Sequence, residues 1–174
     1  MTAPGTADVV VRPARADELP AVGALTEASY RAAGALDGDS GYEVTLRDAV
    51  GRAAAGPVLV AEREGALVGT VTICPWGTEY SELAREGETE FRFLAVAPEA
   101  WGAGIGPLLV DAVESYARGA GSHALVLFVL WSNDAAHRLY ARLGFSRVPD
   151  RDWEPVPGIV LQAYRRGIDS RTPG

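Results

Sequence analysis

The sequence predicts an α/β fold, and three observations carry that prediction. Residues 58–61 and 66–74 alternate in character around Glu64-Gly65, the signature of a β-hairpin. Residues 123–130 are a nearly continuous apolar run, as expected of a strand buried on both faces in parallel pairing. Between them, residues 90–116 read as a strand, a glycine-spaced turn and an amphipathic helix in immediate succession.

The remaining elements follow in order. Val9, Val10 and Val11 predict a first strand, stopped by Pro13. Leu19, Val22, Leu25 and Tyr30, with several alanines, predict a helix ending near Gly34. Residues 36–41, LDGDSG, read as a loop, and residues 42–55 as a second helix closed by Gly56-Pro57. After the hairpin, residues 75–88 form an acidic loop too long to be a simple turn, and residues 90–96 the next strand. Leu108, Leu109, Ala112, Val113 and Tyr116 mark one face of the following helix. Asn133 N-caps a helix that Gly144 ends, and residues 145–148 and 159–164 supply the last strands across an RDWEPVPG loop. The predicted order is β-α-α-β-β-β-α-β-α-β-β. Residues 1–7 and 166–174 are small, polar or Gly/Pro-containing and expected to fray. The chain reads as a single domain over residues 1–174, with a core at about 8–165.

Composition excludes several classes of function. Hydrophobic content of 48% and charged content of 22% are those of an ordinary globular protein. No apolar run reaches membrane-helix length and the N-terminus has no signal-like segment, so no membrane partner and a cytoplasmic location are expected. The net charge is −7, every positive side chain is an arginine, and no basic stripe offers itself to a nucleic-acid backbone. The single cysteine, Cys74, rules out an internal disulfide and a cysteine metal cluster. His123 and His137 form no paired set at metal spacing, so no metal is expected.

The glycine turn is the most chemical feature of the chain. A strand ending at Leu94-Ala95-Val96 meets Gly102-Ala103-Gly104-Ile105-Gly106 and then a helix, which aims backbone N–H groups and a positive helix end at one point. It does not fit the usual nucleotide loops. The chain has no lysine for a GxxxxGK[ST] loop, and Gly106 falls one residue short of the third glycine of GxGxxG.

What the turn does resemble is the acyl-CoA loop of the GCN5-related N-acetyltransferase family, V-x-P-x-x-[QR]-x-x-G-x-[GA]. Val96, Pro98, Gly104 and Gly106 fall on its fixed places. Residues 133–140, NDAAHRLY, with Leu143-Gly144-Phe145, are similar to the family's later N-x-x-A-x-x-L-Y-x-x-x-G-F block. The resemblance implies a mixed, mostly antiparallel sheet flanked by helices, and acetyl-CoA as co-substrate.

It also implies roles residue by residue. Trp101, Gly102, Ala103, Gly104, Ile105 and Gly106 would cradle the CoA pyrophosphate, and Asn133 would contact the pantetheine arm. The strand end Leu94, Ala95 and Val96 would pair with that arm, and the Val96 N–H would polarise the thioester carbonyl. Glu90 occupies a place where relatives carry a direct or water-relayed base, and Tyr140 one where a tyrosine protonates the departing thiolate. Both also have structural readings: a solvated glutamate at a strand start, and a tyrosine packed under the sheet.

Two departures weaken the loop. Trp101 stands where the family has Gln or Arg, and Pro107 has no N–H. Each removes a phosphate donor, and a hydrogen bond to a charged group is worth about 1.5–3 kcal/mol. A non-catalytic CoA-binding or structural member with a decayed loop is therefore the rival reading, and a longer acyl donor a third. On the acceptor side, Tyr30, Tyr42, Trp76 and Tyr80 with Glu79, Glu82, Glu86 and Glu88 suit a cationic amine or a solvated loop equally. The acceptor is expected to be a small-molecule amine or a protein N-terminus, and a homodimer stays open because dimers are frequent among relatives.

Overall fold

The computed structural model describes residues 6–36 and 41–169. Of the segments expected to be irregular, residues 1–5, 37–40 and 170–174 lie outside the described residues. In chain order the elements are β1 (Val9–Pro13), α1 (Leu19–Ala32), α2 (Tyr42–Arg47), α3 (Ala49–Ala55), β2 (Val58–Arg63), β3 (Ala66–Pro75) and β4 (Glu88–Val96). They continue as α4 (Ile105–Gly119), β5 (Ala124–Leu130), α5 (Asp134–Arg142), β6 (Ser146–Arg147), β7 (Trp153–Val156) and β8 (Ile159–Gly167). The strands hydrogen-bond in the order β1-β2-β3-β4-β5-β8-β6, with β7 paired to β8. β5 runs parallel to β4 and antiparallel to β8, so the sheet is mixed and the fold class is as expected.

Four local expectations change. β1 continues through Pro13, which pairs with Leu59; at the edge of the sheet a residue without an N–H loses no second neighbour. The helix expected over residues 42–55 breaks at Asp48, whose carboxylate accepts from Gly51 N at 2.9 Å and starts α3 afresh. The RDWEPVPG segment contributes β7, closed onto β8 by the Val156–Ile159 pair. Residues 166 and 167 belong to β8, where Arg166 pairs with Leu125 and Gly167 with Ala124, so that end of the chain is ordered further than its composition suggests.

Two compact units divide the chain: Met1–Ile73 with Phe93–Ala112, and Cys74–Arg92 with Val113–Gly174. In the first, Leu19 and Val22 of α1 pack with Ala49 of α3 on Val58 and Val60 of β2. α4 approaches β3 so closely that a Cβ on Gly69 would lie 2.8 Å from Ile105 Cγ2 and 3.0 Å from Leu109 Cδ1. That contact seats the first turn of α4, and with it the glycine turn. In the second unit, Tyr140 and Phe145 pack on Phe91 with ring centroids 6.0 and 6.1 Å away, and on each other at 5.6 Å. Leu83, Val126 and Ala163 form a separate buried cluster there, with Phe128 and Val148 packed against it.

Candidate active site

The glycine turn has the backbone that its sequence calls for. Gly102 and Gly104 both sit at φ +80°, a region that costs an L-residue roughly 1 kcal/mol or more. Among the described residues their amides find no acceptor, whereas Ala103 N is used by Ala100 O. α4 starts at Ile105, so the first amides of the helix add further orphan donors at the same place. Ile105 buries its side chain and Pro107 falls within the first turn, where its missing N–H costs the helix nothing.

Trp101 does something the sequence did not show. Its Nε1 donates to the carbonyl of Val96 at 2.9 Å while half of the residue stays exposed. The indole therefore caps the end of β4 with its one polar atom, and its flat face lies at the surface beside the turn.

β4 itself is kinked. Phe93 adopts φ +56°, outside the range that a bulky residue takes without strain. The fully buried guanidinium of Arg52 lies 4.5 Å over the Phe93 ring and donates to Thr45 O and Leu46 O, each at 2.9 Å. A cation–π contact in a desolvated setting is worth about 2 kcal/mol, of the same order as the strain it accompanies. Neither residue was singled out from the sequence. On the other side of the kink, the parallel ladder to β5 covers Glu88–Ala124, Thr89–Leu125 and Glu90–Val126 and extends no further.

Glu90 is completely buried. Its Oε2 accepts from the amides of Glu82, Leu83 and Ala84 at 2.9, 2.8 and 3.2 Å, and Oε1 has no partner among the described residues. Burial pushes its carboxyl above the ordinary value, against the pull of those amides and of Arg92. It is thus no solvated strand-start residue: it holds the loop before β4 with one oxygen and keeps the other unengaged.

Tyr140 is also buried, at 5% exposure, and no described residue hydrogen-bonds its hydroxyl. Burial pushes its phenol well above the usual value, so it stays protonated. It packs on Phe91, and successive strand residues face opposite ways, so Glu90 presents to the other face of β4. Asn133 caps α5 by accepting from Ala136 N at 3.1 Å. His137 is a packing residue: Nδ1 lies 2.6 Å from the Tyr164 hydroxyl and Nε2 within 3.2 Å of the carbonyls of Leu130 and Trp131. Carbonyls only accept, so Nε2 carries the proton and Tyr164 donates to Nδ1.

The acceptor-side candidates separate into engaged and unengaged groups. Glu88 accepts from Arg151 at 2.8 and 3.1 Å, from Arg165 at 3.1 Å and from Arg85 N at 3.0 Å. Burial alone would push its carboxyl up, but these bonds together hold it at about 2. Tyr80 lies under Arg92, and Trp76 is exposed. Sequence reading missed Arg151 and Arg165 because they lie 63 and 77 residues from Glu88. Among the described residues no group of three His, Cys, Asp or Glu side chains could hold a metal ion, and no helix is long and apolar enough to cross a membrane.

A mixed sheet whose central strand runs into an amide cradle at a helix start is the fold of an acetyltransferase. Residues 22–145 match the Acetyltransferase (GNAT) family, and the chain belongs to that family. Mycothiol acetyltransferase of Pseudarthrobacter chlorophenolicus is 43% identical over 58 residues, which span 33% of this chain and 18% of that protein. An uncharacterized N-acetyltransferase of Schizosaccharomyces pombe is 33% identical over 106 residues, 60% of this chain and 61% of that protein. The chain thus spans less than two thirds of either relative. The fold matches YncA of Salmonella typhimurium, solved with its cofactor acetyl-CoA, with a TM-score of 0.65 and 22% identity over 97% of this chain and 98% of that one.

Proposed function

We propose that the protein transfers acetyl from acetyl-CoA directly to a primary amine, either a small molecule or a protein N-terminus. The observation that carries this reading is the pair of amides at Gly102 and Gly104 that find no acceptor among the described residues, set at the start of α4 where an anion is favoured. Together with the first helical amides they suit a pyrophosphate. Acetyl-CoA supplies an activated thioester; the chain supplies binding and proton handling.

In this reading Leu94, Ala95 and Val96 offer backbone groups to the pantetheine arm, with the Val96 N–H polarising the carbonyl under attack. Asn133 contributes to the same arm beyond its capping role. Glu90 takes the amine proton, directly or through a water, since a protonated amine has no lone pair. A carboxyl whose affinity for protons is raised by burial is better matched to that task near neutrality than an ordinary glutamate. Tyr140 meets the departing sulfur. A thiol ionises at about 8.5, below even an unperturbed tyrosine, so Tyr140 acts by hydrogen bonding to the developing thiolate more than by complete proton transfer.

A second reading, CoA binding without catalysis, is favoured by one specific observation: Trp101 already occupies the Val96 carbonyl. Calorimetric titration with acetyl-CoA and with CoA, followed by thiol-release assays over a panel of amines, separates the two. Saturable binding with amine-dependent release supports the acetyltransferase. Binding without release from any amine supports the second reading, and absence of binding removes both.

A further inference from the structure

A cleft of 480 Å³ opens beside the loop that Glu90 holds. One rim is formed by Glu82, Leu83 and Arg85, the other by Asp150, Arg151 and Asp152, with Phe128 and Trp153 between them. Its walls are fastened. Arg151 donates to Leu83 O at 2.5 Å and to Glu88, tying one rim to the other. Asp152 accepts from both Arg147 terminal nitrogens at 2.8 and 2.7 Å and from Ala163 N at 2.7 Å. The loop amides of Glu82 and Leu83 end on Glu90. Phe128 and Trp153 pack in a tilted contact, 6.0 Å between ring centroids with 39° between planes.

The charges left over are of a different kind. Glu82 and Asp150 are exposed, and among the described residues neither carboxylate makes a hydrogen bond or ion pair. Arg85 is the one lining cation that is not tied up by a side-chain partner there, so two unengaged carboxylates face one unengaged guanidinium. A cleft with hydrogen-bonded walls, an aromatic surface and a surplus of unused negative charge is complementary to a cation carrying a flat apolar body. It is poorly suited to an anion.

Resting on the acetyltransferase reading above, we propose that this cleft receives the acceptor, and that the acceptor is a cationic arylalkyl-type amine. Its body lies on Phe128 and Trp153, and its ammonium is drawn in by Glu82 and Asp150. Glu90 lies directly beneath the Glu82–Ala84 amides, so the cleft and the proposed base share one loop.

The test is calorimetric titration with phenethylamine, ethylamine and phenylacetate, run beside thiol-release assays with acetyl-CoA. Phenethylamine is expected to bind about tenfold or more tighter than ethylamine, the size of the apolar burial of its ring, and phenylacetate is expected not to compete. Trp153→Ala, at a position 40% exposed, and the Glu82→Gln/Asp150→Asn double variant should each weaken phenethylamine about tenfold while acetyl-CoA affinity stays as it was. Equal binding of phenethylamine and ethylamine, or variants that bind phenethylamine as the parent does, overturns the proposal even if other amines are acetylated. Phenethylamine binding lost in the variants, with no thiol release from any amine, keeps the cleft assignment and sinks the acetyltransferase reading instead.

Discussion

Trp101 closes the end of β4 onto itself: its indole Nε1 donates to the Val96 carbonyl at 2.9 Å, across a turn whose neighbouring glycine amides find no acceptor among the described residues. In the proposed binding mode the same carbonyl is among the backbone groups that would meet the pantetheine arm. Trp101→Phe keeps most of the ring and removes the donor. Acetyl-CoA is expected to bind about three- to tenfold tighter, the range of a net hydrogen bond recovered, while the melting temperature drops slightly. Weaker binding would mean that the indole covers the ligand and does not compete with it.

The two turn glycines differ in surroundings. Both need φ +80°, but a Cβ on Gly104 would also lie 3.0 Å from Thr6 Cγ2, whereas nothing lies within 4 Å of one on Gly102. Gly104→Ala should therefore lower the melting temperature more than Gly102→Ala, and both should cost about tenfold or more in acetyl-CoA affinity by moving the amides. Chemical denaturation and calorimetry on the pair measure the two effects separately.

Glu90 has a structural role at the loop amides and a proposed one as base, and two substitutions can part them. Glu90→Gln retains an oxygen for the Glu82, Leu83 and Ala84 amides and lacks the base; Glu90→Ala lacks both. Turnover at neutral pH is expected to fall in the two variants alike, about 10²-fold or more for loss of a general base, and thermal stability to fall mainly in the alanine variant. The pH dependence has a definite sign. Because burial raises the folded carboxyl above its ordinary value, the native state binds more protons, so Glu90 favours folding most at low pH and progressively less as it ionises. That component of the stability–pH curve should vanish in Glu90→Gln.

Glu88 titrates the other way. Held at about 2, it contributes stability that is full above the ordinary carboxyl range and is lost as pH falls toward about 2. Glu88→Gln leaves Arg151 buried without its carboxylate and should cost roughly 3 kcal/mol at neutral pH, with the difference from the parent shrinking in acid. Urea unfolding at several pH values reads it directly.

Tyr140→Phe removes a hydroxyl that no described residue hydrogen-bonds and keeps the ring that packs on Phe91, Phe145 and Tyr164. Stability should change by less than about 0.5 kcal/mol. If the hydroxyl meets the departing sulfur, kcat falls about tenfold or more with little change in acetyl-CoA affinity. Unchanged kcat would leave Tyr140 a packing residue.

The sequence by itself determined what local rules control. Alternation, apolar runs and cap residues placed most elements, because pleat, helix period and capping act over a few residues. The same locality made the glycine turn legible, since Gly102, Ala103 and Gly104 with the start of α4 form one unbroken stretch of backbone. Where a local rule was outvoted, as at Asp48, the competitor was itself local, a side-chain cap favoured over continued helix. Tertiary structure decided the rest. Whether Glu90 is solvated or sealed depends on a loop that folds back over it, and Glu88 is neutralised by arginines more than sixty residues further along the chain. The strain at Phe93, the buried Arg52 above it and the cleft floored by Phe128 and Trp153 likewise exist only once distant segments meet. Burial and long-range charge pairing set the protonation and accessibility of each side chain, and neither is written in the spacing of residues.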